Sequence, residues 1–117
     1  DYVQAMVAMG PEAENRAIEV GRVSRACKEL SMDLDCVVLA AAQLNRGAAK
    51  DGTRPMLSHL KDSSSIEHDA DGCMLLHRPD HDSDEAAAQL IIAKSRWGEQ
   101  STLDLAPDLA RHRFGWC

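Results

Sequence analysis

Three groups of residues in this 117-residue chain are placed to do chemistry. The first is Gln43 with Arg46, which close the apolar run Val37-Val38-Leu39-Ala40-Ala41-Ala42. An almost unbroken hydrophobic stretch reads as a strand buried on both faces, as inside a parallel sheet. In such sheets ligands sit outside the carboxyl ends of the strands, so this amide and guanidinium stand where a ligand is met. The second is Lys94 with Arg96, two residues apart behind Leu90-Ile91-Ile92-Ala93. Strand alternation puts both cations on one face. The third is the stretch from Arg46 to Lys61, whose ionic residues are Arg46, Lys50, Asp51, Arg54 and Lys61. It is a local basic excess in an otherwise acidic chain.

The elements that must position these residues follow from periodicity. Asp1-Tyr2-Val3-Gln4-Ala5-Met6 reads as the tail of a strand and its turn, and Gly10-Pro11 as a breaker before a helix. From Glu12 to about Ser31, Ala13, Ala17, Val20, Val23, Cys27 and Leu30 recur at three- and four-residue steps, one face of an amphipathic helix. Arg16, Glu19, Arg22, Arg25 and Glu29 fall mostly on its other faces, and Gly21 interrupts it. The strand at about Cys36–Leu44 comes next. Asn45 to Ser65, with Gly47, Gly52, Pro55 and a serine run, reads as a long loop with room for a short helix, and loops of that length tend to be functional. Further strands are expected at Cys73–Leu76, Leu90–Ala93, Thr102–Leu105 and Arg113-Phe114.

Bulk properties narrow the classes. Hydrophobic residues make up 44%, which argues against disorder. No segment approaches the ~18 continuous apolar residues of a membrane span, and no signal peptide is visible. Cys27, Cys36, Cys73 and Cys117 lack metal-finger spacing, and reduced, cytoplasmic cysteines are expected. Thirteen Lys and Arg against nineteen Asp and Glu give a net charge of −6, so no global electrostatic footprint for nucleic acid exists. With one Tyr, one Phe and two Trp, a base-stacking platform is not expected either. DNA contact would be local and made to phosphates. His77, Asp80, His81 and Asp82 crowd a turn beside Pro79 and read as an exposed acidic tip rather than a metal site.

Four segments in order resemble the DnaB-type replicative helicases, hexameric motors with a RecA-like ATPase core. They are Asp1-Tyr2-Val3-Gln4-Ala5-Met6; Gln43-Leu44-Asn45-Arg46; the long stretch from Arg54-Pro55-Met56-Leu57-Ser58-His59-Leu60-Lys61-Asp62-Ser63-Ser64-Ser65 to Ile66-Glu67-His68-Asp69-Ala70-Asp71; and Ile92-Ala93-Lys94-Ser95-Arg96-Trp97-Gly98. The Gln43 motif falls 42 residues after Asp1, a separation that the family uses.

The resemblance implies a role for each. Asp1 would end the Walker B strand and hold Mg²⁺, commonly through water. Gln43 would sense the γ-phosphate of ATP, because an uncharged amide can hydrogen-bond a phosphate oxygen or the attacking water without titrating. Arg54, Lys61, Asp62 and Ser64 would grip single-stranded DNA in a central channel. Lys94 and Arg96 would reach a neighbouring subunit's ATP, with Arg96 as arginine finger. The chain departs from the family at His59 (usually Asp), Lys61 (Arg), Asp62 (Glu), Ser64 (Gly) and Trp97 (Asn). Lys61 keeps the charge without the bidentate fork, and Ser64 adds a Cβ where glycine permits close backbone approach.

The expected fold is α/β. It is the C-terminal half of a RecA-like P-loop NTPase core, a mostly parallel central sheet with a helix that ends in short antiparallel strands, and residues 1–117 form one partial domain. No G-x-x-x-x-G-K-[ST] occurs in the chain, so the phosphate cradle is expected elsewhere in a longer parent and this piece alone is expected to be inactive. The parent is expected to be a cytoplasmic homo-hexamer that uses ATP and Mg²⁺, translocates 5′ to 3′ on single-stranded DNA at a replication fork, and meets a primase and a helicase loader. Two alternatives stand beside it: another RecA-like recombination or repair ATPase, and a non-catalytic RecA-like subunit or interaction module without a P-loop.

Overall fold

A computed structural model of the chain describes residues 2–6, 16–45, 53–60, 64–80 and 87–116. They belong to two units, one built from Asp1–Asn45 with Ser58–Ala70 and the other from Arg46–Leu57 with Asp71–Cys117.

In the first unit the amphipathic pattern produces helix α1, Arg16–Asp33. The expected start at Glu12 lies outside the described residues. Val20 is fully buried, Val23 and Cys27 are half-buried, and Leu30 at the far end is exposed. The apolar stripe is therefore covered only over its middle. There it meets a second helix, α2, Ser64–Asp69. Gly21 is what allows the approach: a Cβ at this position would lie 2.8 Å from Ser65 Oγ and 3.2 Å from Ser65 Cβ. The glycine that weakens the helix pattern is thus the point where the second helix seats. Arg25 and Asp69 add an ion pair at 3.9 Å.

Helix α1 stops in a Schellman arrangement. The Asp35 N–H bonds to the Met32 carbonyl and the Cys36 N–H to the Ser31 carbonyl, with Asp35 at φ 46°. Glycine is the usual occupant of such a left-handed position, and aspartate holds it at a steric cost.

Residues 36–43 then run extended, as expected, but they are not paired as a ladder strand. The run was expected to be buried on both faces; instead Val37 is 94% and Leu39 84% exposed. An extended backbone becomes a buried strand only when neighbours take its N–H and C=O groups on both sides. Here the contacts are sparse: Val3 N–H to the Ala41 carbonyl at 2.8 Å, and a single antiparallel bridge, Leu44 with Leu60. The strand tail expected at Asp1–Met6 is a 3₁₀ turn, Val3–Ala5, after an extended Tyr2, and Asp1 lies outside the described residues.

The second unit is an antiparallel sheet of four strands in the order β1-β2-β3-β4: β1 Gly72–His77, β2 Ala88–Ser95, β3 Ser101–Asp108 and β4 Arg113–Trp116. Each contains its sequence-predicted core and extends beyond it. Short connections join β2 to β3 and β3 to β4, and chain neighbours joined that way can pair only antiparallel. No parallel pair occurs among the described residues, so the mostly parallel central sheet is not seen in them.

Register places Leu76, Leu90 and Leu103 side by side across three strands, beside Ala88 and Leu105. Leu75 and Ile91 pair on the opposite face. Between Cys73 and Met74 the register shifts: Cys73 faces Lys94 and Met74 faces Ile92, which leaves Ala93 as the extra residue of a bulge. After β3, Asp108 accepts hydrogen bonds from the Arg111 N–H and from the Arg111 and Arg113 guanidinium groups, fixing the turn into β4.

Two substitutions test these points. Gly21→Ala is expected to destabilise the protein by about 1–3 kcal/mol, because the new methyl group meets Ser65 at the helix contact. Asp35→Gly is expected to stabilise it by about 1 kcal/mol by relieving the left-handed position. Chemical denaturation of both variants beside the parent checks the two signs together.

Candidate functional site

In the first unit the site is the carboxyl end of the extended run. Gln43 is exposed, and its side-chain amide takes no hydrogen bond among the described residues. Its main chain, by contrast, is held at both polar groups. The Gln43 N–H donates to Gln4 Oε1 at 3.0 Å, and Gln4 Nε2 donates to the Gln43 carbonyl at 3.3 Å. Gln4 itself is 1% exposed. Burying an amide without partners costs roughly 1–3 kcal/mol, and here the partner is the backbone of the candidate sensor residue.

One residue further on, Leu44 bridges to Leu60, and the Asn45 N–H donates to the His59 carbonyl at 2.7 Å. Leu60 is buried and directly precedes Lys61 in sequence. The run that presents Gln43 is therefore hydrogen-bonded to the segment 54–71 that the resemblance assigns to DNA. Lys61 and Asp62 lie outside the described residues, as does Asp1. Ser64 is exposed as the first residue of α2, and the adjoining Ser65 is the side chain that seats against Gly21.

The other candidates belong to the second unit. Arg54 is exposed and its Nη2 donates to Thr102 Oγ1 on β3, so its guanidinium is oriented by the sheet. Lys94 is half-buried opposite Cys73, immediately after the bulge at Ala93. Bulges turn a strand and re-aim the side chains beyond them. Alternation in the sequence puts Lys94 and Arg96 on one face, but it gives no sign of this irregularity just before them.

Arg96 lies just beyond β2 and is held three ways. Its N–H donates to the Asp71 carbonyl at 2.9 Å, its Nη1 lies 2.8 Å from Asp71 Oδ1, and its guanidinium sits over the Trp97 ring at 5.9 Å from the centroid. Cation–π contact of this kind contributes about 0.5–1 kcal/mol at exposed sites.

Gln4, Leu60 and Asp71 were not among the sequence-predicted site residues. Gln4 had one signal, a lone amide between Val3 and Ala5. Asp71 had none, because its partner is distant in sequence and the pairing depends on register. Among the described residues no three of His, Cys, Asp and Glu come together as a metal-ligand set. Among the described residues Cys27, Cys36 and Cys73 form no disulfide, and no helix is long and apolar enough to cross a membrane.

Comparison with solved structures gives the class first. The chain superposes on one solved ATPase domain with a TM-score of 0.84 at 34% identity, over 97% of this chain and 42% of that one. It superposes on a DnaB-like replicative helicase, described with its interactions with primase, with a TM-score of 0.82 at 33% identity, over 97% and 29%. The fold is thus that of part of a helicase-type ATPase domain. Residues 1–115 match the family model "DnaB-like helicase C terminal domain", and the chain belongs to that family. The replicative DNA helicase DnaB of Mycobacterium leprae is 43% identical over 119 residues, which is 97% of this chain and 20% of that protein. The chain thus spans about a fifth of that relative's length.

The Arg96–Asp71 pair is partly exposed on both sides, so its coupling should be modest. A double-mutant cycle of Asp71→Asn with Arg96→Gln is expected to give less than about 1 kcal/mol in thermal unfolding. A coupling of several kcal/mol would instead mark the pair as desolvated and structural.

Proposed function

We propose that this chain is the C-terminal part of the motor domain of a replicative DNA helicase, which couples ATP hydrolysis to 5′–3′ movement on single-stranded DNA and duplex unwinding. The observation that carries this reading is the link in the first unit, where Gln43 ends the extended run and the next two residues are tied to His59 and Leu60. A residue that responds to a phosphate is thereby joined through a short hydrogen-bonded path to the loop that would hold the strand. Membership of the DnaB-like family supports the same conclusion.

In this proposal Gln43 meets the γ-phosphate of ATP, and Asp1 holds Mg²⁺ through water. Lys94 and Arg96 act on the nucleotide of an adjoining subunit in a homo-hexamer. A basic residue delivered across a subunit boundary stabilises charge on the transferring phosphoryl group and needs no covalent chemistry. Each unit supplies part of what a phosphate needs, an exposed amide at Gln43 in the first and cations at Lys94 and Arg96 in the second, but the sequence has no glycine-rich cradle. The cradle would come from the remainder of the ATPase domain. Residues 1–117 form one partial domain with that remainder, and its strands pair with the run 36–44 to make the mostly parallel sheet. The exposure of Val37 and Leu39 supports this pairing.

Arg54, Lys61, Asp62 and Ser64 contact the DNA backbone. The solved relative described with primase supports a primase partner for the parent. A helicase loader and a cytoplasmic location complete the proposal.

The decisive test uses a full-length helicase carrying this chain. Arg96→Ala is expected to lower ATP turnover by about 10³–10⁵-fold while leaving nucleotide binding nearly intact. Near-normal turnover would remove Arg96 from the catalytic role. Lys61→Ala is expected to weaken binding to single-stranded DNA uniformly across sequences and to flatten its salt dependence by about one phosphate contact. A sequence-dependent loss in fluorescence anisotropy titrations would contradict a backbone contact.

A further inference from the structure

We infer that Gln4 is a positioning residue for the nucleotide-sensing step: its buried side chain fixes the main chain of Gln43 and thereby sets where the Gln43 amide points. The inference rests on reading Gln43 as the phosphate-sensing residue. Gln4 is buried to 1% exposure and meets both main-chain groups of Gln43, the N–H at 3.0 Å and the carbonyl at 3.3 Å. A primary amide offers one acceptor and a donor pair on adjacent atoms. It can therefore complete both hydrogen bonds of a residue in extended backbone, as a neighbouring strand would.

The location gives this contact its importance. At the carboxyl end of the run, the Ala41 carbonyl accepts from the Val3 N–H, the Gln43 N–H donates to Gln4, Leu44 bridges to Leu60 and the Asn45 N–H donates to the His59 carbonyl. Val3 and Gln4 share one 3₁₀ turn, so a single short element steadies the run immediately before the bridge. Gln43 stands between two supports, one in the 3₁₀ turn and one in the segment that precedes the DNA loop. With its backbone fixed, only the side chain is left to respond to phosphate. A rotation of the Gln43 backbone would be passed directly to Leu44 and its bridge to Leu60. Leucine, close in length but without hydrogen-bonding atoms, would leave both Gln43 groups unmatched. Glutamate would keep an acceptor for the N–H and set an oxygen against the carbonyl.

The experiment measures ATP hydrolysis stimulated by a mixed-sequence single-stranded oligonucleotide, in a full-length helicase carrying this chain. Gln4→Leu is expected to lower kcat by about 10–100-fold, the scale associated with misplacing a catalytic contact by an ångström. KM for ATP should stay within about twofold, because the residue orients a group and does not bind nucleotide. Gln4→Glu should fall between Gln4→Leu and the parent. A kcat within about twofold of the parent in Gln4→Leu overturns the inference.

Gln43→Ala separates the two readings. If it is fully active, the sensor assignment itself fails; if it is impaired while Gln4→Leu is normal, only the positioning role fails. Should both Gln4 variants misfold, amide hydrogen exchange on the unsubstituted protein decides. Protection at the Gln43 N–H comparable to that of the β2–β3 ladder supports the clamp, and exchange at the free-peptide rate overturns it.

Discussion

An extended backbone has to place every N–H and C=O, and the residues from Cys36 to Asn45 have few partners at hand with which to do so. The middle of the run carries exposed valine and leucine, whereas its carboxyl end is held by bonds at Ala41, Gln43, Leu44 and Asn45. Order is concentrated at the end that displays Gln43. The remaining structure of that unit serves the same end. The Val3–Ala5 turn supplies one side of it, and the segment at His59 and Leu60 supplies the other. Helix α2, within the segment that the resemblance assigns to DNA, is fixed on α1 by the absence of a side chain at Gly21.

The antiparallel sheet solves a different problem. Short links make its pairing local, and its leucines meet across strands without needing residues distant in sequence. Local contacts close small loops, whose entropic cost is low. Such a sheet presents Thr102 to the Arg54 guanidinium, and its β1–β2 alignment brings Asp71 to Arg96. Two kinds of positioning thus coexist in the chain: an amide clamp on an otherwise sparsely paired run, and a self-sufficient meander that carries the cations.

Much of this was legible in the sequence. Helix α1 followed from its three- and four-residue apolar steps, and the four strands from short apolar runs between turn signals. The placement of Gln43 at the end of an extended run followed from an abrupt change in hydropathy, although the run is not a paired strand. Periodicity describes one segment at a time, however, and says nothing of what a segment pairs with. The run 36–44 was correctly read as extended, but its expected burial depended on neighbours that the apolar pattern alone could not supply. The bulge at Ala93 was invisible because it is a mismatch between two strands, not a property of either. Gln4 looked like a polar residue at a strand tail, and only its contact with Gln43 shows its use. Asp71 lay inside a quoted motif, yet its pairing with Arg96 depends on how β1 and β2 align.

The restraint on Arg96 bears on how a proposed arginine finger can be both ordered and available. A guanidinium loose in solvent loses rotamer entropy, roughly 2 kcal/mol for this side chain, when it is finally fixed on a phosphate. In this chain part of that ordering is already in place, through the Asp71 carboxylate and the Trp97 ring. Arg96 and Trp97 are exposed and the Asp71 side chain is partly so, although the Asp71 oxygen that meets the guanidinium is itself buried. A partly exposed ion pair is screened by water and salt on its open side, which weakens the hold of the carboxylate relative to a phosphate. The backbone bond from the Arg96 N–H to the Asp71 carbonyl does not involve the guanidinium, so in the proposed role the residue would stay anchored at the strand end while its tip changed partner. A fully buried pair would lock the arginine and an absent Asp71 would leave it unordered; here the guanidinium side of the pair is open to solvent, so Asp71 orients the arginine without enclosing it.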